Sequence, residues 1–189
     1  MSLKEKLKKV LANDLVALTE CQGDIGVEVP REKIHDVLLR LREAEGLEFD
    51  FLSDLFGIDN SELYAKEAAK KKKSAKKADG EEESVVEEEN VPEPPRFEVV
   101  YLLLSLKHNH RVHVKIRVPE DDLVVQSVTD IWRAADWPER EAFDMYGVRF
   151  DGHPNLRRLL MWDEFEDHPL RKDYPLEGKG EERQLFCET

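Results

Sequence analysis

The sequence predicts an α+β fold, a single small domain in which helices cover one mixed or antiparallel sheet. Segments that alternate apolar and polar residues, as strands do, are mixed with segments of helical periodicity in no regular strand–helix repeat. A charged low-complexity stretch interrupts this pattern, and an apolar but proline-punctuated stretch ends the chain. We therefore assign residues 1–64 and 96–150 to the domain, 65–95 to an insertion and 151–189 to an extended docking arm.

Each predicted element follows from the spacing of its apolar residues. Over 3–18 they recur every three or four positions, which predicts an amphipathic helix. Residues 97–107 are apolar on both faces and predict an interior strand, and 111–118 alternate and predict its antiparallel hairpin partner. The other predicted elements are a strand over 24–29, a helix from Pro30 to Gly46, a half-buried strand over 47–59 starting at Leu47, Phe49 and Phe51, and two short helices over 127–147, the second with Pro138 in its first turn and Gly147 at its end.

Charge and hydropathy exclude several classes of function. The chain has 42 acidic and 29 basic residues, a net charge of −13, which argues against general affinity for nucleic acid or for an anionic membrane surface. Its longest strongly apolar stretch, 99–106, is far shorter than the about 20 residues of a membrane-spanning helix. The N-terminus lacks the apolar core of a secretory signal. We expect a cytoplasmic protein that reaches a membrane only through other proteins.

The two cysteines, Cys21 and Cys187, lie near opposite ends of the chain. An iron–sulfur cluster or a structural zinc site needs about four ligands at short spacings, and neither pattern is present. We expect two free thiols, and redox centres only in other chains.

The insertion over 65–95 consists of a lysine run, a glutamate run and a proline-rich end. One interpretation is a basic patch for nucleic acid, and the other is a solvated insertion between two strands. No aromatic residue interleaves with the lysines and an acidic block follows them at once, which favours the solvated insertion.

Beyond Val148 the sequence predicts no packed element, because Pro154, Pro169 and Pro175 recur among scattered glycines. The same stretch is nevertheless rich in leucine and aromatic residues, which a disordered tail would not normally carry. It therefore predicts an arm that wraps a partner protein, with Trp162 and Tyr174 as its leading anchors.

Residues 137–160, WPEREAFDMYGVRFDGHPNLRRLL, resemble the signature of the thirty-kilodalton subunit family of respiratory complex I, the proton-pumping NADH:quinone oxidoreductase. The matching positions are Glu139, Arg140, Glu141, Asp144, Met145, Tyr146, His153, Arg157 or Arg158, Leu159 and Leu160. The flanking segments 127–137 and 168–178 also resemble this family, whereas the charged insertion departs from it.

The resemblance implies a non-catalytic structural subunit of the peripheral arm that binds no flavin, cluster or metal. FMN and iron–sulfur clusters would lie in partner subunits. The partners it implies are the large quinone-site subunit and the neighbouring iron–sulfur subunits, on the cytoplasmic side of the inner membrane. The alternative is the equivalent subunit of a membrane-bound hydrogenase or a ferredoxin-driven complex, since the sequence does not name the electron donor.

Structural roles also account for the residues that could suggest chemistry. Arg140 and Asp144 are four apart on a helix and can pair, and Glu139 and Glu141 lie in its first turn, where the helix dipole favours acids. His108, His110 and His113 need not converge on a metal, and the acids of 163–168 can be solvated or pair with a partner. Arg157, Arg158, Arg171 and Lys172 are expected to engage a partner, and His153 to fix where the arm leaves the domain.

Overall fold

The computed structural model describes residues 2–21, 23–62 and 95–180. Except for Pro95, the predicted insertion over 65–95 lies outside these ranges, and so do the last nine residues of the predicted arm. Cys187 and the side chain of Cys21 are likewise outside the described part, so the prediction of two free thiols stays a prediction.

The described residues form helices and strands in the mixed order that the sequence predicts. The elements are α1 (Leu3–Leu11), β1 (Ala17–Cys21), β2 (Asp24–Glu28), α2 (Ile34–Glu43), β3 (Phe51–Asp59), β4 (Phe97–Ser105), β5 (His110–Val118), β6 (Val124–Gln126), α3 (Asp136–Tyr146) and β7 (Arg149–Asp151). Short 3₁₀ turns precede α2 and α3 and follow α1.

Five of these strands form one mixed sheet in the order β1-β2-β5-β4-β3. Only β2 and β5 run parallel, and the other neighbours are antiparallel. The predicted hairpin of β4 and β5 is present, and β6 and β7 form a separate parallel pair. The predicted α+β class is therefore confirmed.

One face of the sheet belongs to the hydrophobic core that also contains the buried leucines of α1 and α2. The strand side chains on this face are at most 1% exposed, and those of β4 and β5 are Phe97, Val99, Tyr101, Leu103, Val112, Val114, Ile116 and Val118. Their alternation along β5 is the predicted one, because successive side chains of a strand point to opposite faces. Burying one aliphatic or aromatic side chain of this size contributes about 2 kcal/mol.

The predicted helix over 3–18 is wrong beyond Leu11. Ala12 has a φ of 32°, a left-handed conformation that ends the helix, and β1 begins at Ala17. Asp14 is buried beside Lys33 and Arg40, which pair with its carboxylate. Leucines at helical spacing continue through Leu18 because Leu15 and Leu18 pack on the same core from the chain that leads into β1.

The predicted start of the third strand is also wrong. Leu47 and Phe49 are fully buried but precede β3, while Phe51 lies within it and is 45% exposed. Phe51 pairs with Leu104, on the face opposite the core, and a register shift between Leu52 and Asp54 follows. Such a bulge brings Leu52 and Leu55 inward at a spacing that simple alternation does not anticipate.

Two expectations for the C-terminal part need correction. The first of the two predicted helices is a turn followed by the 3₁₀ segment Arg133–Ala135. After Val148 a packed element does follow, since β7 pairs with β6 and Phe150 is 2% exposed. The end of α3 is as predicted, because Gly147 adopts the left-handed φ of 82° at its C-cap.

Candidate partner-docking site

The arm beyond β7 contains no helix or strand up to Gly180, yet it follows a defined path over α3 and the β3–β4 end of the sheet. Two buried carboxylates, Asp144 and Asp59, hold it there. A chain without regular structure must place its backbone polar groups elsewhere, and these carboxylates accept several of them.

Asp144 on α3 is the first of these anchors. Its Oδ2 accepts the consecutive backbone N–H groups of Leu159, Leu160 and Met161 at 3.0, 2.7 and 2.9 Å, and its Oδ1 lies 2.6 Å from Arg158 Nη1. Burial alone would raise the pKa of Asp144, but these hydrogen bonds hold it below its usual value. Asp144 therefore stays ionised and fixes the arm at its midpoint.

The expected pair between Arg140 and Asp144 is wrong. Arg140 instead donates from Nε to the carbonyl of Arg157 at 3.1 Å and from Nη2 to that of Arg158 at 3.0 Å. Helix spacing allows a pair four residues apart. The arm competes for both side chains, because its Arg158 reaches Asp144 and its carbonyls reach Arg140.

Glu139 is fully buried and does not owe its place to the helix dipole, contrary to the expectation. Its carboxyl accepts the Val128 N–H at 2.8 Å and the Ser127 hydroxyl at 2.7 Å. Burial raises the pKa of Glu139 to about 7, against the lowering effect of those bonds. The hydroxyl of Tyr101 is buried without a partner among the described residues, and burial and then the Glu139 charge raise its pKa.

His153 ties the start of the arm to the first turn of α3. Its Nδ1 accepts the Asn155 N–H at 3.0 Å, so its Nε2 carries the proton and donates to the carbonyl of Asp136 at 3.2 Å. Its side chain is fully buried. This geometry agrees with the expected role at the point where the arm leaves the domain.

The last turn of α3 contacts the arm through backbone carbonyls. That of Met145 accepts the Leu170 N–H at 3.2 Å, and that of Tyr146 accepts Arg171 Nε at 2.7 Å. The ring of Tyr146 lies over Gly57 of β3, where a Cβ atom would come within 2.7 Å of it. Glu141 of the same helix is exposed.

The arm has a small aromatic cluster of its own. Phe165 is 4% exposed and packs edge-on against Trp162, with ring centroids 4.9 Å apart, and against Tyr174 at 6.2 Å. Arg158 lies over the same ring at 5.5 Å. Trp162 and Tyr174 therefore shape the arm and keep only part of their surface exposed.

Asp59, at the end of β3, is the second anchor, which was not predicted from the sequence. It pairs with Arg96, at the start of β4, with Nη2 2.7 Å from Oδ2, and it accepts the Lys172 N–H at 2.9 Å. Arg96 also reaches Asp173. These residues are far apart in the chain, so no local pattern joins them. Their one signal is that Asp59 and Arg96 border the insertion.

The comparisons with known proteins add a family to this geometry. The sequence pattern of the family described as "Respiratory-chain NADH dehydrogenase, 30 Kd subunit" matches residues 27–180. This chain belongs to that family.

Relatives of this 30 kDa family member agree with the assignment. It is 42% identical over 181 residues to the NADH-quinone oxidoreductase subunit designated C in Legionella pneumophila subsp. pneumophila strain Philadelphia 1, covering 96% of this chain and 80% of that one. It is 38% identical over 177 residues to the subunit of the same name in Citrifermentans bemidjiense, covering 94% and 90%.

Two solved structures share its fold. The trypsin-resistant fragment (1–134) of Nqo5 aligns with a TM-score of 0.58 and 28% identity, over 82% of this chain and all of that fragment. A chain of the archaeal membrane-bound sulfane sulfur reductase complex aligns with a TM-score of 0.64 over 92% of this chain and 85% of that one. At 22% identity, the second shows the fold alone.

The surface of the 30 kDa subunit that remains unexplained by its own packing lies on the arm. Leu160 is 62% exposed, Leu170 is 47% exposed and Leu176 is fully exposed. Arg157 and Lys172 also point outward, whereas Arg158 and Arg171 are held internally, contrary to the expectation that all four engage a partner.

The described residues of the subunit contain no group of three or more His, Cys, Asp or Glu side chains able to hold a metal ion. His108 Nε2 lies 2.6 Å from Glu48, and His110 Nε2 lies 3.2 Å from the carbonyl of Leu47. Across the ranges that the structure covers, no helix has the length and apolarity needed to span a bilayer.

Proposed function

We propose that this chain is a non-catalytic structural subunit of the peripheral arm of NADH:quinone oxidoreductase, and that it docks on the large quinone-site subunit through residues 151–180. Electron transfer from NADH to quinone and the coupled proton translocation would belong to the neighbouring subunits. FMN and iron–sulfur clusters would lie there too, with this chain at the cytoplasmic side of the inner membrane. Its family and its relatives, which are named as NADH-quinone oxidoreductase subunits, support this proposal.

The observation that carries the docking role is the contrast between the two sides of the arm. Inward, Asp144 alone accepts three backbone N–H groups and a guanidinium, which is costly to build unless the arm must hold one shape. Outward, three leucines remain in water. Exposed apolar side chains grouped on a rigid segment mark protein–protein interfaces.

The acids of α3 support a structural role over a catalytic one. Asp144 and Glu139 are each saturated by hydrogen bonds within the chain, and Glu139 is enclosed where a substrate cannot reach it. The equivalent role in a hydrogenase or ferredoxin-driven complex is not favoured. The relatives at 38–42% identity bear the NADH-quinone oxidoreductase name, and the archaeal complex shares the fold alone.

A pair of matched substitutions tests the docking role. Leu160 on the arm and Leu106 at the β4–β5 turn are exposed to nearly the same extent, 62% and 64%. Leu160→Asp should lower the yield of assembled complex about tenfold or more, because a charge replaces an apolar contact at the interface. Leu106→Asp should leave it unchanged. Co-purification of the other subunits with the tagged chain measures both. Equal, undiminished yields for the two variants would refute docking through the arm.

A further inference from the structure

Arg96 connects three separate parts of the chain. Its Nη2 lies 2.7 Å from Asp59 of β3 and 2.9 Å from Asp173 of the arm, and its Nη1 lies 2.7 Å from Glu120 after β5. Its guanidinium also lies 4.8 Å above the ring of Phe97, which Arg171 approaches at 5.2 Å. An arginine can hold several carboxylates at fixed angles because its five donors lie in one plane.

The carboxylate of Asp59 is fully buried and depends on these contacts. Burial would raise its pKa, but the bonds from Arg96 and from the Lys172 N–H hold that pKa well below the usual value. Since the Lys172 N–H belongs to the arm, the ion pair of Asp59 and Arg96 and the course of residues 171–173 depend on each other.

We propose that Asp59 and Arg96 form a latch that sets the second half of the arm in its docking shape before a partner arrives. This inference rests on the proposed function and deepens it. The latch fixes Lys172 and Asp173, which lie between the exposed Leu170 and Leu176. Asp144 fixes Leu160 in the same way.

The partner that fits this surface is a subunit with apolar recesses for three leucines at fixed separations. Asp59 and Arg96 need not touch that partner. They are positioning residues, and they strengthen binding because an arm that is already ordered loses less conformational entropy when it docks. If only a fraction of the molecules has the arm in place, the apparent affinity falls by that fraction.

Two variants loosen the latch from opposite sides. Arg96→Ala removes its centre. Asp173→Asn is milder, because the Asp173 side chain is 64% exposed and its ion pair is the one with Arg96. Arg117→Ala is the control, since Arg117 makes a comparable ion pair with Glu28 on the opposite face of the sheet, away from the arm.

The measurements use the full chain and the remaining subunits, purified from cells that lack this chain. Hydrogen exchange at the Lys172 amide reports the latch, and the concentration of chain that half-restores the complex reports docking. Arg96→Ala should speed the exchange and raise that concentration about tenfold, and Asp173→Asn should do both to a smaller degree. Arg117→Ala should change neither. Melting temperature shows whether the variants stay folded at the assay temperature.

A purely structural latch would give a different pattern from a positioning one. Faster exchange with unchanged affinity in both latch variants would overturn the positioning role, and unchanged exchange would overturn the latch. Normal assembly of Leu160→Asp would overturn the docking function, and the inference with it, while the exchange result would still show whether Arg96 holds the arm.

Discussion

Glu139→Gln is expected to stabilise the folded chain at mildly alkaline pH and to change it little at acidic pH. Glu139 sits inside the protein between α3 and the turn after β6, where only a serine hydroxyl and one backbone N–H compensate its charge. No cation pairs with it among the described residues, and the nearby charges of Asp130 and Asp136 oppose its ionisation further. Glutamine has the same shape and no charge.

The magnitude follows from the two pKa values. Burial raises the pKa of Glu139 from 4.5 to about 7 in the folded chain, a difference of about 2.5 units. At 1.36 kcal/mol per unit, this amounts to about 3 kcal/mol. The folded state holds the proton more tightly than the unfolded state, so this stability is fully present below the unfolded pKa and is lost as the pH rises through about 7. Glutamine cannot lose a proton, and the loss disappears.

Urea unfolding of both proteins at about pH 5 and about pH 8 measures the effect. The free energy of unfolding of the wild type should fall more between these two conditions than that of Glu139→Gln, by up to about 3 kcal/mol. Histidines with shifted pKa, such as His168, contribute equally to both proteins and cancel in this comparison. Glu141→Gln, an exposed change on the same helix, controls for removing one charge. Parallel curves for wild type and Glu139→Gln would refute the reasoning.

Four further outcomes follow from the packing of the arm and from the composition of the chain. Asp144→Asn breaks a buried ion pair with Arg158 and should destabilise the chain by about 3 kcal/mol, with faster proteolysis of the arm as the readout and an unchanged cleavage rate as the contrary result. Gly57→Ala should cost about 1–3 kcal/mol in thermal unfolding because its Cβ would meet the ring of Tyr146, and Tyr146→Leu in the same chain should recover part of that loss. Replacing residues 65–95 with a short Gly/Ser linker should leave the yield of assembled complex intact, since loop length affects stability weakly; loss of most of the complex would make that segment a docking element. The isolated chain should contain no stoichiometric metal or flavin by elemental analysis and absorption, and zinc, nickel or iron that survives chelation would contradict the structural role.

The parts of the fold that the sequence predicted well are those where local physics decides. Charged and apolar residues alternate along β5 because one face lies in the core, and Gly147 ends α3 because few other residues adopt its positive φ. The signature segment was recognised because many residues at fixed spacing are far more specific than a short motif.

The sequence could not predict the pairings that join distant parts of the chain. Asp59, Arg96 and Asp173 meet although 37 residues separate the first two and 77 the last two. Arg140 and Asp144 stand at the right spacing to pair, yet the arm offers each a better-placed partner. Spacing along a helix shows which contacts are possible, and the competing groups that arrive from elsewhere decide which of them form.

The parallel pairing of β2 with β5 has a consequence for how the chain folds during synthesis. Val27 pairs with Val114, so the strand that completes the N-terminal hairpin leaves the ribosome much later than the hairpin itself. Until then the buried leucines of α1 and α2 have no sheet to cover, because β4 and β5 supply most of it. Contacts at such long sequence separation slow folding and prolong the exposure of apolar surface. A nascent chain that stops before β5 is therefore a substrate for chaperones and proteases, and the cell gains a folded subunit only once more than half of it has been made.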